Sequence, residues 1–143
     1  MTASSVQRIP LQVVRGCVVA SIQIDLTPEV LQQFRMDLLE RVQESRANSV
    51  ILDVSGIDIL DLGDFNGLRS TMEMAEIMGA RSILSGLKPG VVSALIDLGA
   101  DPEGLNSVLN LDDAFRLLDG IQEKPAEPLE LLDDGQESNS DPG

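Results

Sequence analysis

The run Ser49-Val50-Ile51-Leu52-Asp53-Val54 is apolar at nearly every position. A strand of this kind must be covered on both faces, as the strands of parallel sheets are. Segments with apolar residues about four apart flank it. Val30, Phe34, Leu38 and Val42 precede it, and Phe65, Leu68, Met72 and Ala75 come after it. That spacing places each set along one side of a helix. A buried strand between two amphipathic helices is the repeating unit of an α/β sheet with right-handed crossovers.

The rest of the chain extends the pattern. Leu11 to Arg15 and Cys17 to Ile24 read as two short strands divided by Gly16, an antiparallel pair at a sheet edge. Thr27-Pro28-Glu29 offers a hydroxyl N-cap, proline at the first helical position and an acid in the first turn. The second helix starts near Asp61 to Gly63, and Gly79 suits the position just past its end. Arg81 to Leu87 predicts a strand and Pro89 to Leu98 a helix closed by Gly99. A weak strand near Leu105 to Leu109 precedes a last helix from about Asp112 to Ile121. The expected order is ββαβαβαβα, a mostly parallel sheet of four to five strands packed against about four helices.

Residues 1–8 read as a flexible lead, 9–122 as the folded domain and 123–143 as an acidic tail. The tail holds Pro125, Pro128 and Pro142 and seven acids against one base, Lys124. It has too little apolar surface to offset chain entropy, so disorder is expected. Leu129, Leu131 and Leu132 form its one apolar island, a candidate docking segment that folds on a partner.

Charge narrows the function classes. Ten basic residues face twenty-four acids, for a net charge of −14. That balance opposes nucleic acid and anionic membrane surfaces, since phosphate binding needs clustered Lys and Arg. No apolar run reaches the roughly 18 residues of a membrane span. Met1 to Pro10 lacks an apolar signal core, which points to the cytoplasm. Cys17, the one cysteine, lies in an apolar run and reads as a buried structural thiol.

Chemistry is hard to build from this inventory. Histidine is absent, which removes the commonest general base and metal ligand. There is no phosphate loop or dinucleotide-binding turn. The three Phe residues supply no stacking platform for bases. The expectation is a non-enzyme without cofactor or metal. Four carboxylates, Asp53, Asp58, Asp61 and Asp64, do cluster in sequence. With Asp25 and Lys88-Pro89 they echo a phosphoacceptor receiver domain, yet Asp25 stands alone and one helix is missing. The structural alternative makes Asp61 a helix cap, puts Asp64 in the first turn and lets Asp53 accept loop amides.

The segment from Ala47 to Asp61, Ala-Asn-Ser-Val-Ile-Leu-Asp-Val-Ser-Gly-Ile-Asp-Ile-Leu-Asp, resembles the signature of STAS domains, the anti-sigma-factor antagonists and their relatives. Met78-Gly79-Ala80, Gly86 to Val91 and Leu95-Ile96-Asp97-Leu98-Gly99 resemble the RsbS-type branch, small scaffolds of the bacterial stressosome. Val19 to Gln23 and Leu109 to Asp112 match as well, so the likeness runs from about Ile9 to Leu118. It implies a STAS fold without catalysis, an RsbT-like serine/threonine kinase as partner, and homo- or hetero-oligomeric assembly with RsbR-like STAS paralogues. It also implies a partner surface at Asp58, Asp61, Leu62, Gly63 and Asp64.

In that family the phosphoacceptor serine directly follows the aspartate opening the second helix. Here that position is Leu62, which cannot be phosphorylated. Ser55, Ser70 and Thr71 are the nearest hydroxyls, and none is an obvious substitute. Leu62 then fixes partner binding permanently, or Asp64 mimics the phosphorylated state, or a co-assembling paralogue carries the switch; the last is favoured. Two other functions remain open, a stand-alone anti-sigma factor antagonist and a ligand-binding STAS module.

Overall fold

The computed structural model describes residues 6–123. The expectations for residues 1–5 and for the tail beyond Glu123 fall outside the described residues. The chain follows the expected order: β1 (Leu11–Val14), β2 (Cys17–Ser21), α1 (Pro28–Ser45), β3 (Ser49–Asp53), α2 (Leu62–Ile77), β4 (Arg81–Ser85), α3 (Pro89–Asp97), β5 (Ser107–Val108) and α4 (Leu111–Glu123). The five strands lie side by side in chain order. Only the β1–β2 pair is antiparallel; β2, β3, β4 and β5 are mutually parallel.

Local chemistry explains the boundaries. Arg15 and Gly16 both take positive φ, 50° and 76°, which is the twist a two-residue hairpin needs. Thr27 caps α1 by accepting the Val30 amide at 3.2 Å, with Pro28 in the first turn. Asp61 caps α2 by accepting the Asp64 amide at 2.7 Å. Gly79, at φ 97°, ends α2, and the Ala80 amide reaches back to the Ala75 carbonyl at 3.0 Å. Every strand ends short of expectation, β1, β3 and β5 by one residue and the other two by more. β2 ends at Ser21 rather than Ile24, and β4 at Ser85 rather than Leu87. Gly86 turns the chain there with φ 87°.

The sheet separates two cores. Val18, Ala20, Val50, Leu52 and Leu84 meet Phe34, Leu38, Leu68 and Leu95 on the face covered by α1, α2 and α3. Cys17, Val19, Ile51 and Ile83 meet Ala114 and Leu118 of α4 on the other. Each fully buried side chain of this size contributes about 1.5–3 kcal/mol. β3 is therefore buried on both faces, as its composition required. The four-residue stripe of α1 is the set that helix buries, and α2 buries its stripe together with Thr71. Cys17 is buried too, and burial pushes its thiol pKa upward.

Candidate functional site

The C-terminal ends of the parallel strands carry the loops where polar residues collect. The turn after β3 is held from beneath: the Ser55 amide donates to the Asp53 carboxylate at 3.0 Å, and the Val54 amide to the Ser85 carbonyl at 2.8 Å. Neighbouring loops clamp it from the sides. A Cβ on Gly56 would stand 2.8 Å from Gln23 Cγ, and one on Gly86 would stand 2.7 Å from Ser55 Cβ. At Gly86 the contact includes the Ser55 backbone nitrogen at 2.9 Å, which only glycine permits, whereas at Gly56 the Gln23 side chain would have to move. The loop from 54 to 61 is thus fixed between residues 22–27 and residue 86.

Within it, side chains sort by depth. Leu60 is buried and Ile57 packs partly against the core, while Ile59 is 87% exposed. Leu62, the first residue of α2, is half-buried. Asp61 spends its carboxylate on the Asp64 amide, so the Leu62 and Gly63 amides stand as open donors of the first turn. Gln23, Asp25, Thr27, Asp58, Ile59 and Asp64 line an open groove of about 500 Å³ beside this turn.

Electrostatics divide the carboxylates. Asp58 pairs with Lys88, whose hydrogen bond and charge hold the Asp58 pKa below its ordinary value. Asp64 moves the other way. Burial raises its pKa, and the charges of Asp61 and Asp25 add to the effect. An exposed isoleucine and a half-exposed leucine ringed by carboxylates suit a protein surface that offers an apolar contact bordered by basic groups.

Of the five residues expected from sequence, Asp58 and Asp64 line this groove, while Asp61, Leu62 and Gly63 are the cap and first two residues of α2. Sequence reasoning missed Ile59 as the groove's most exposed apolar group. It also missed Asp25 across the groove, and it read Lys88 toward a receiver site. Lys88 instead pairs with Asp58, while Asp53 accepts the Ser55 amide. Receiver-type folds place their second strand outside the first in a fully parallel sheet, and this sheet runs in chain order with an antiparallel edge. Among the described residues no three acidic, Cys or His side chains gather as a metal site. Nor is any described helix long and apolar enough to cross a membrane.

The nearby hydroxyls differ in access. Thr71 is fully buried, donating to the Gly67 carbonyl at 3.0 Å and accepting from Arg35 Nε at 3.2 Å. Ser70 is half-buried and Ser55 is exposed.

A mostly parallel five-stranded sheet with an antiparallel edge, three helices on one face and one on the other defines the class. The chain belongs to the STAS domain family, which it matches over residues 8–114. Stressosome proteins are among those it is similar to. RsbS of Moorella thermoacetica, solved as a serine-to-glutamate variant, superposes with a TM-score of 0.70 at 25% identity, over 80% of this chain and 97% of that one. A chain from a structure of the stressosome, described as a signal integration and transduction hub, gives a TM-score of 0.67 at 24% identity, over 79% of this chain and 98% of that one. The RsbT co-antagonist protein RsbRA of Bacillus subtilis is 26% identical over 65 residues, 46% of this chain and 24% of the relative. RsbRB of the same organism is 24% identical over 91 residues, 64% of this chain and 33% of the relative. The chain therefore spans a quarter to a third of the length of these co-antagonists.

Proposed function

We propose that this protein is a non-enzymatic, cytoplasmic scaffold of a bacterial stress-signalling complex. It co-assembles with RsbR-type paralogues and holds an RsbT-like serine/threonine kinase at the start of α2. One observation carries the reading: a STAS fold similar to RsbS presents exposed Ile59 and half-exposed Leu62 inside a rim of Asp58, Asp61 and Asp64. No hydroxyl sits where the resemblance places the phosphoacceptor. The phosphate-dependent step is therefore assigned to the paralogue. A phosphate adds about −1.5 to −2 charge, and a leucine at that position keeps this chain's surface constant while its neighbours switch.

Mixing the protein with an RsbR-type paralogue and measuring mass by light scattering tests the assembly. A megadalton particle is expected. Monomers at every ratio favour the stand-alone antagonist. Incubation with the kinase and ATP tests the constant surface: phosphosite mapping should find no stoichiometric label on Ser55, Ser70 or Thr71.

A further inference from the structure

The two ends of the sheet carry opposite charge. Around the N-terminal ends of the parallel strands lie three exposed arginines: Arg15 in the β1–β2 turn, Arg46 capping α1 and Arg81 opening β4. Backbone hydrogen bonds tie them to one place. The Asn48 amide donates to the Gly16 carbonyl and the Arg81 amide to the Asn48 carbonyl, each at 3.0 Å. Arg46 stands two residues before Asn48. None of the three makes a salt bridge to an acid among the described residues. Glu76 shares a shallow groove with Arg81, but its carboxylate is taken up by the Ser82 amide at 3.2 Å, and Glu44 lines a separate groove with Arg8 and Arg41. A basic rim on a chain of net charge −14 calls for an anionic occupant.

α4 delivers one. It starts at the opposite end, where Leu111 and Asp112 lie beside Asp53 and Ser55. From there it crosses the sheet over Cys17, Ile51 and Ile83. Its Phe115 ring lies under the Arg15 guanidinium, 5.3 Å from centroid to carbon. The helix is 13 residues long, about 20 Å, while a five-residue strand spans about 17 Å. The chain therefore leaves α4 at the arginine end. Residues 124–143, next in the chain, hold Glu127, Glu130, Asp133, Asp134, Glu137 and Asp141 against the single base Lys124.

We infer that the basic rim of Arg15, Arg46 and Arg81 is the docking seat of the chain's own acidic segment, residues 124–143. Reach is no obstacle: twenty residues extend to about 70 Å, and a domain of this size has a radius of gyration of about 13 Å. Tethering gives the segment an effective concentration of order millimolar. A second copy or a free polyanion must come from dilute solution against the acidic field of the whole chain. Docking here covers the end of the sheet opposite the start of α2 and leaves that surface open.

A nitroxide on Ser138→Cys tests the seat in the full-length chain, because Cys17 is 2% exposed and escapes labelling. Amide signals of Gly16, Asn48 and Arg81 should lose about half their intensity at about 50 mM salt and recover near 0.5 M, as screening predicts. Exchanging Arg46→Glu and Arg81→Glu, both exposed, should abolish the effect, and the unchanged remainder of the spectrum reports an intact fold. Broadening spread elsewhere or absent at low salt would overturn the inference. So would broadening that persists in the double variant. Broadening seen only between separate labelled and unlabelled chains would make a second copy the occupant and overturn it as well.

Discussion

Asp61 and Asp64 stand three residues apart in one helical turn, and their surroundings give them opposite energetic signs. Asp61 accepts the Asp64 amide at 2.7 Å, so Asp61→Ala should cost about 1 kcal/mol, as lost N-caps do. Asp61→Asn keeps an acceptor and should cost much less; urea unfolding at neutral pH compares them. Asp64 has its pKa raised above the ordinary 3.8, first by burial and then by Asp61 and Asp25. The fold therefore favours its protonated form. That contribution is fully present below the unfolded pKa and is lost as pH rises through the folded one. At neutral pH Asp64→Asn should be the more stable protein, and its advantage should vanish as pH falls below 3.8. Both positions were visible in sequence, because a cap and a first-turn acid are set by local spacing, but Asp64 was expected there as a favourable charge for the helix dipole. The raised pKa of Asp64 was not visible, since it arises first from burial and then from Asp61 and from Asp25 in another loop.

At the scale of elements, the helices were legible because Val30, Phe34, Leu38 and Val42 repeat with the helical period. The loop from 54 to 61 was not, because Ile57, Ile59 and Leu60 have no period to say which one faces outward. Its shape comes from neighbours. Gly86 combines φ 87° with a virtual Cβ only 2.9 Å from the Ser55 backbone nitrogen. Gly86→Ala should cost on the order of 2–4 kcal/mol, through left-handed strain plus overpacking, measured as a lower urea midpoint. Gly79, whose virtual Cβ meets nothing within 4 Å, should lose only the strain component on the same substitution. The unequal cost of two positive-φ glycines separates a clamped loop from an ordinary helix end.

For the whole molecule, alternation of strands and helices foretold a parallel sheet with an antiparallel edge. It did not foretell that α1, α2 and α3 share one face while α4 covers the other alone. That division puts the start of α2 and the exit of α4 at opposite ends of the strands, acidic and basic respectively. The recognition of a STAS domain rested on a hydrophobic frame many residues long. The surface it implied could be named but not shaped, because Ile59 and Lys88 take their places only once the loops pack.

Function in this protein turns on whether the hydroxyl-free start of α2 is where the kinase docks. The deciding quantity is the dissociation constant of an RsbT-like kinase for the wild type and for Leu62→Glu, each confirmed folded. A carboxylate there desolvates in the contact, so binding should weaken at least about tenfold, or 1.4 kcal/mol. Equal affinity for both proteins would put the kinase elsewhere on the molecule and refute docking at this turn.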